Sequence, residues 1–163
     1  MASLWAVSTK RVDRVLWAPC HRHPFGKELA AFDDRMDMCR LAAAGLVGVE
    51  VSAIDRDAGA EGRTLIVLRS LAAERPADEV VVLVGADLLA ERTRWYGYEE
   101  IERIAKFLVV GRAGFVSPGG VPDLPPLSSS AIRGALGRGE DVSLWLPAAV
   151  LDYVRQHGLY GAR

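Results

Sequence analysis

Val80-Val81-Val82-Leu83-Val84-Gly85-Ala86-Asp87 decides the fold. Its apolar run is brief and has no polar interruption, which predicts a strand covered on both faces, as in a parallel sheet between layers of helices. Phe107-Leu108-Val109-Val110 repeats the pattern, and Val15-Leu16-Trp17-Ala18 and Val49-Glu50-Val51 are shorter versions of it. Between these runs Leu29, Phe32, Met36 and Cys39 recur at three- and four-residue steps, as do Leu65, Leu68 and Leu71 with Ala72. Such spacing gives amphipathic helices. Pro76 fences the second of these, and a terminal helix is expected between Pro147 and Gly158. Strand and helix in alternation spell an α/β domain with a doubly wound parallel sheet, whose ligands sit outside the carboxyl ends of the strands. With no repeat and no linker in sight, residues 1–163 read as one domain.

Composition narrows the function. The chain has 163 residues, 20 basic against 21 acidic, and half of its residues are apolar. That suffices for a real core and is unlike a disordered chain. A net charge of −1 offers no bulk attraction to nucleic acid or to an acidic membrane surface. Any bound anion must be met by a local site. No apolar stretch approaches a membrane span, and the start lacks a basic region followed by an apolar one. Two cysteines, Cys20 and Cys39, are too few for a disulfide framework, so a cytoplasmic protein is expected.

Each strand end offers chemistry. After the first, Cys20-His21-Arg22-His23-Pro24-Phe25-Gly26-Lys27 gathers two histidines, an arginine and a lysine in a turn. Phosphate is its natural guest, although a solvated basic bend would look the same. Cys20, His21, His23 and Cys39 lack the paired spacing of a structural zinc site. After the third strand, Asp87 could accept hydrogen bonds from a ribose or serve a helix start, and Trp95 and Tyr96 could stack a flat ring or simply pack. Arg112, at the end of the fourth, could hold a phosphate or a carboxylate. The stretch from Arg112 to Leu127 reads as one long loop. Beyond it, Ser128, Ser129 and Ser130 open a helix and Arg133 comes round to the same face, so hydroxyls, free backbone N–H groups and a guanidinium converge. A serine helix cap beside an unrelated arginine is the plainer alternative.

Taken in order, these pieces resemble the nicotinate (or nicotinamide) mononucleotide adenylyltransferase family of the nucleotidyltransferase superfamily. The resemblance rests on Pro19 with Gly26-Lys27, Phe32-Asp33-Asp34-Arg35 with Met38, Arg63-Thr64-Leu65, Gly85-Ala86-Asp87 with Trp95, Gly111-Arg112-Ala113-Gly114-Phe115, Ser128 to Arg133, and Leu146-Pro147 through Tyr153 to Gly158-Leu159-Tyr160. It implies a Rossmann-like fold and transfer of AMP from ATP to nicotinate mononucleotide, with magnesium travelling on the ATP. By position, Lys27 and Arg133 would be catalytic. Ser128, Ser129, Ser130 and Arg133 would hold ATP, while Thr64, Asp87, Trp95, Arg112 and His23 would meet the mononucleotide. Pantetheine-phosphate adenylyltransferase, a sister enzyme, fits less well because of Trp95 and Arg63-Thr64.

One departure stands out. Family members begin with a strand, a Gly-rich turn and a His-x-Gly-His motif, and none of these is in the sequence. Met1 to Arg11 resembles the body of the helix that follows them. The expectation is therefore a sheet without its usual first, central strand, and little adenylyl transfer by the 163 residues alone. Two accounts compete: a functional protein that is longer at its amino end, which is favoured, or a catalytically dead nucleotide-binding remnant. Acid or amide preference at the pyridine ring is not encoded in any single residue.

Overall fold

The computed structural model describes residues 1–22, 29–112 and 123–162, and of Arg112 and Asp123 the backbone. Along the chain come α1 (Ala2–Ser8), β1 (Val15–Trp17), α2 (Phe32–Ala43), β2 (Val49–Val51), α3 (Ile54–Asp57), α4 (Thr64–Glu74), β3 (Val81–Gly85) and α5 (Ala86–Ala90). Then follow α6 (Tyr98–Ile104), β4 (Lys106–Arg112), β5 (Asp123–Leu124), α7 (Ser129–Gly137) and α8 (Ala148–Gln156), with single 3-10 turns at Arg92–Arg94 and Leu159–Gly161.

All strand pairs are parallel. β1 runs beside β2 with Val15 opposite Val49, and β3 runs beside β4 with Val81 opposite Lys106. The alternation of apolar runs and helices thus gives the expected right of way for a Rossmann-like sheet. β5 was not expected. The described end of the stretch read as one loop returns to pair Asp123 and Leu124 with Gly111 and Arg112. A second difference is at α2, which starts at Phe32 rather than Leu29, because Ala31 takes an extended conformation (φ −50°, ψ 149°) and leaves Leu29 and Ala30 in the preceding loop.

The sheet is in two pieces. β1 and β2 form one ladder and β3, β4 and β5 another, and among the described residues no strand joins them. A cavity of about 660 Å³ lies between, walled by Val15 to Ala18 on one side and Val80 to Gly85 on the other. This explains why β1 and β3 are only half-buried where continuous burial was expected: of their residues only Val84 is buried. The helices supply the core instead. One cluster joins Ala135 and Leu136 of α7 to Val142 and to Val150, Leu151 and Val154 of α8, with Met38, Leu41 and Ala42 of α2 packed against it. The other joins Leu65 and Leu68 of α4 to Ile101 of α6 and Ala105, against Val80, Val82, Trp95 and Phe107. No helix among the described residues is long and apolar enough to cross a membrane.

Candidate functional site

The carboxyl ends of β1, β3 and β4 open onto one end of the cavity. Cys20, Asp55, Gly62, Thr64, Gly85, Asp87, Gly111 and Leu127 line it there. Thr64 and Asp87, taken from the sequence as mononucleotide contacts, therefore share a wall. The Asp87 side chain turns back over Gly85, where a Cβ would collide with its Oδ1. A Cβ at position 85 would push that carboxylate aside. Asp87 is not the helix cap of the plainer alternative: Gly85 occupies that position, and Asp87 sits in the first turn of α5.

α7 begins just past the cavity rim. The Ser128 hydroxyl accepts a hydrogen bond from the Ala131 N–H at 3.1 Å, so this serine is the cap. It satisfies one of the orphan amides at the helix start and leaves its own proton free to donate. Arg133 donates from Nη2 to the Ser130 hydroxyl at 3.3 Å, as the helical spacing requires. Ser128, Ser129 and Ser130 are exposed and Arg133 is half-buried. The guanidinium also lies 5.8 Å from the centre of the Tyr160 ring. Among the described residues no carboxylate is ion-paired with it. The α7 start is thus an exposed set of donors with positive charge.

Trp95 is placed differently. It is half-buried at the edge of the α4–α6 cluster, in contact with Tyr98 (ring centres 6.1 Å apart, edge to face) and Phe107 (6.3 Å). Tyr96 next to it is exposed, with the Arg63 guanidinium 5.3 Å over its ring. Neither Trp95 nor the α7 serines line the cavity. His23 and Lys27, the zinc alternative that includes His23, and Gly114 and Phe115 lie outside the described residues, as does the Arg112 side chain. Among the described residues no cluster of three or more histidine, cysteine or carboxylate side chains is arranged to hold a metal, and Cys20 and Cys39 are both free thiols.

Two residues to which the sequence assigned no role organise the root of the cationic loop. Asp55, at the carboxyl side of β2 and 2% exposed, accepts from the His21 N–H at 2.5 Å and the Gly62 N–H at 2.9 Å. Arg35 of α2 donates to the carbonyls of Cys20 (2.5 Å), His21 (3.0 Å) and Ala30 (3.0 Å). The His21 peptide is therefore gripped from both sides, by a carboxylate at its N–H and a guanidinium at its oxygen. Charged partners make such bonds the stronger kind. The same guanidinium and burial act oppositely on Cys39, whose thiol burial pushes up and Arg35 pulls down. The end of β2 points to this stretch, but Asp55 and Asp57 look alike in sequence and only the fold shows that Asp55 is the buried one.

Comparison with known proteins gives the family. No family model matches the chain. A curated relative from Anaeromyxobacter dehalogenans (strain 2CP-1), named probable nicotinate-nucleotide adenylyltransferase, is 46% identical over 163 aligned residues, which cover 98% of this chain and 87% of that protein. The chain belongs to the nicotinate-nucleotide adenylyltransferase family. A second family member, from Myxococcus xanthus (strain DK1622), carries the same name and is 36% identical over 165 aligned residues, covering 100% of this chain and 87% of its own length. The fold agrees as well. The Plasmodium falciparum nicotinic acid mononucleotide adenylyltransferase complexed with NaAD superimposes with a TM-score of 0.79 at 15% identity, covering 100% of this chain and 90% of that one.

Proposed function

We propose that this chain provides the site at which the adenylyl group of MgATP passes to nicotinate mononucleotide, forming the dinucleotide and pyrophosphate, with little turnover by the 163 residues alone. A phosphate oxygen of the mononucleotide attacks the α-phosphorus of ATP in line, and the bond from that phosphorus to the β-phosphate oxygen breaks. No protein nucleophile is needed. The protein's part is to hold two anionic groups together and to neutralise the charge that gathers on the leaving pyrophosphate. One observation carries the reading: the start of α7, with the Ser130 hydroxyl under the Arg133 guanidinium, opens beside a cavity whose walls carry Thr64 and Asp87.

On this reading Ser128, Ser129, Ser130 and Arg133 take the β- and γ-phosphates, and Lys27 and His23 meet phosphate where the two substrates join. Asp87 accepts from a ribose hydroxyl, Thr64 lies beside the mononucleotide, Arg112 contributes charge, and Trp95 stacks the pyridine ring with the part of its face left open. Magnesium enters as the counter-ion of ATP, needing the substrate's oxygens more than a protein cage. All 163 residues act as a single domain. A reducing cytoplasmic compartment suits the two free thiols.

The test is to incubate the chain with MgATP and nicotinate mononucleotide and to measure pyrophosphate release and dinucleotide formation, with nicotinamide mononucleotide and phosphopantetheine as competing acceptors. Turnover restricted to the pyridine mononucleotides supports the proposal. Calorimetric binding of mononucleotide without any turnover would make the chain a nucleotide-binding protein instead.

A further inference from the structure

The final turn of the chain, Leu159–Gly161, has a backbone problem that the nucleotide pocket does not explain. Tyr160 lies in the left-handed region at φ 56° and ψ 22°. A bulky residue there is an outlier that glycine or asparagine would avoid, and such strain persists only where surrounding contacts hold it. The contacts are specific. The Tyr160 ring faces the Arg133 guanidinium at 5.8 Å, within the range of a cation–π interaction. Burial pushes the Tyr160 phenol above its ordinary pKa, against the pull of the Arg133 guanidinium. The turn is wedged against α7 one helical turn beyond Arg133, where a Cβ on Gly137 would stand 3.3 Å from the Tyr160 carbonyl oxygen. Leu159 and Tyr160 both pack on the α7–α8 cluster.

We infer that Tyr160 is a positioning residue for the phosphate grip of α7: its ring, fixed by the strained turn, holds the Arg133 guanidinium over the Ser130 hydroxyl, ready for a nucleotide polyphosphate. The inference rests on the assignment of ATP to the α7 start made above. An arginine side chain has several rotatable bonds, and one confined between a ring and a hydroxyl loses less freedom when the anion arrives.

The decisive variant is Tyr160→Asn, which removes the ring yet suits the left-handed backbone; Tyr160→Phe keeps the ring and drops the phenol. Arginine side-chain N–H signals give the first readout, with the Arg133 signal identified by its loss in Arg133→Lys. In the wild type that signal is displaced by the ring current. It stays displaced in Tyr160→Phe and moves back among the exposed arginines in Tyr160→Asn. Calorimetry gives the second: Tyr160→Asn weakens MgATP binding about tenfold and leaves nicotinate mononucleotide unchanged, and in an Arg133→Lys background it has no further effect. A wild type that binds no MgATP overturns the placement of ATP on α7 and this role with it. A wild type that binds MgATP beside a Tyr160→Asn variant that binds it equally overturns the role alone, as does equal weakening of both nucleotides. Should Tyr160→Asn fail to fold, Tyr160→Leu against Tyr160→Phe makes the same comparison.

Discussion

Trp95 and Arg133 are assigned to the two substrates of one reaction, yet the protein holds them in opposite ways. Trp95 is half-buried at the edge of the core, its ring packed against Tyr98, Phe107 and the apolar side chains of α4 and α6. Arg133 stands on a helix start where the serines are exposed, held by one hydroxyl and one ring. The difference teaches how tightly function is tied to stability at each place. At the indole the proposed ligand contact falls on a ring that also packs the core, so the two would not be altered separately. At the guanidinium they can.

The largest expected effect follows from the buried side of that contrast. Trp95→Ala removes a ring from a packed cluster and is expected to cost about 3 kcal/mol in urea unfolding. If it unfolds the protein no more easily than wild type, the contrast collapses. Next comes Asp55→Ala, which leaves the His21 and Gly62 amides without their shared acceptor inside the protein. A loss of about 2 kcal/mol is expected by the same measurement. Asp55→Asn, which restores an acceptor but adds an N–H where two donors already converge, should fall between Ala and wild type.

Arg133→Ala should shift stability by less than about 0.5 kcal/mol, the ordinary range for a surface change, while weakening MgATP by more than about tenfold. A variant that loses stability and binding together would make Arg133 resemble Trp95 and end the distinction.

The smallest effect is a matter of pH. Tyr153 of α8 donates its phenolic proton to Asp34 of α2 at 2.9 Å, and that bond pushes its pKa from 10.0 up to about 12. Because the folded value lies above the unfolded one, the contribution is complete below about pH 10 and is lost as pH rises to about 12. Melting temperatures measured from pH 9 upward should therefore fall more steeply for wild type than for Tyr153→Phe. Parallel curves would show that the bond does not couple to folding.

How much of this the sequence held depends on the distance over which each feature is decided. β3 and α4 were legible because a run of valines and a leucine period are local facts. The contact between Ser130 and Arg133 was legible for the same reason, since the two are three residues apart on one helix. β5 was not, because two residues acquire strand character only from a partner ladder. Nor was the role of Asp55, whose neighbourhood Asp-Arg-Asp-Ala-Gly reads as solvated charge until the fold buries one carboxylate of the group. The left-handed Tyr160 could not be read either, since the neighbours it packs against, Arg133 and Gly137, are distant in sequence.

The sheet in two ladders has a mechanical meaning. Among the described residues no backbone rung crosses from β1 to β3, so there the two ladders are tied by side chains and connecting loops rather than by strand pairing. Deuterium uptake should trace that seam. Amides of β1 and β3 that point across it should label early, and those pointing into the rungs with β2 and β4 late, so that alternate residues along one strand would report two different time constants.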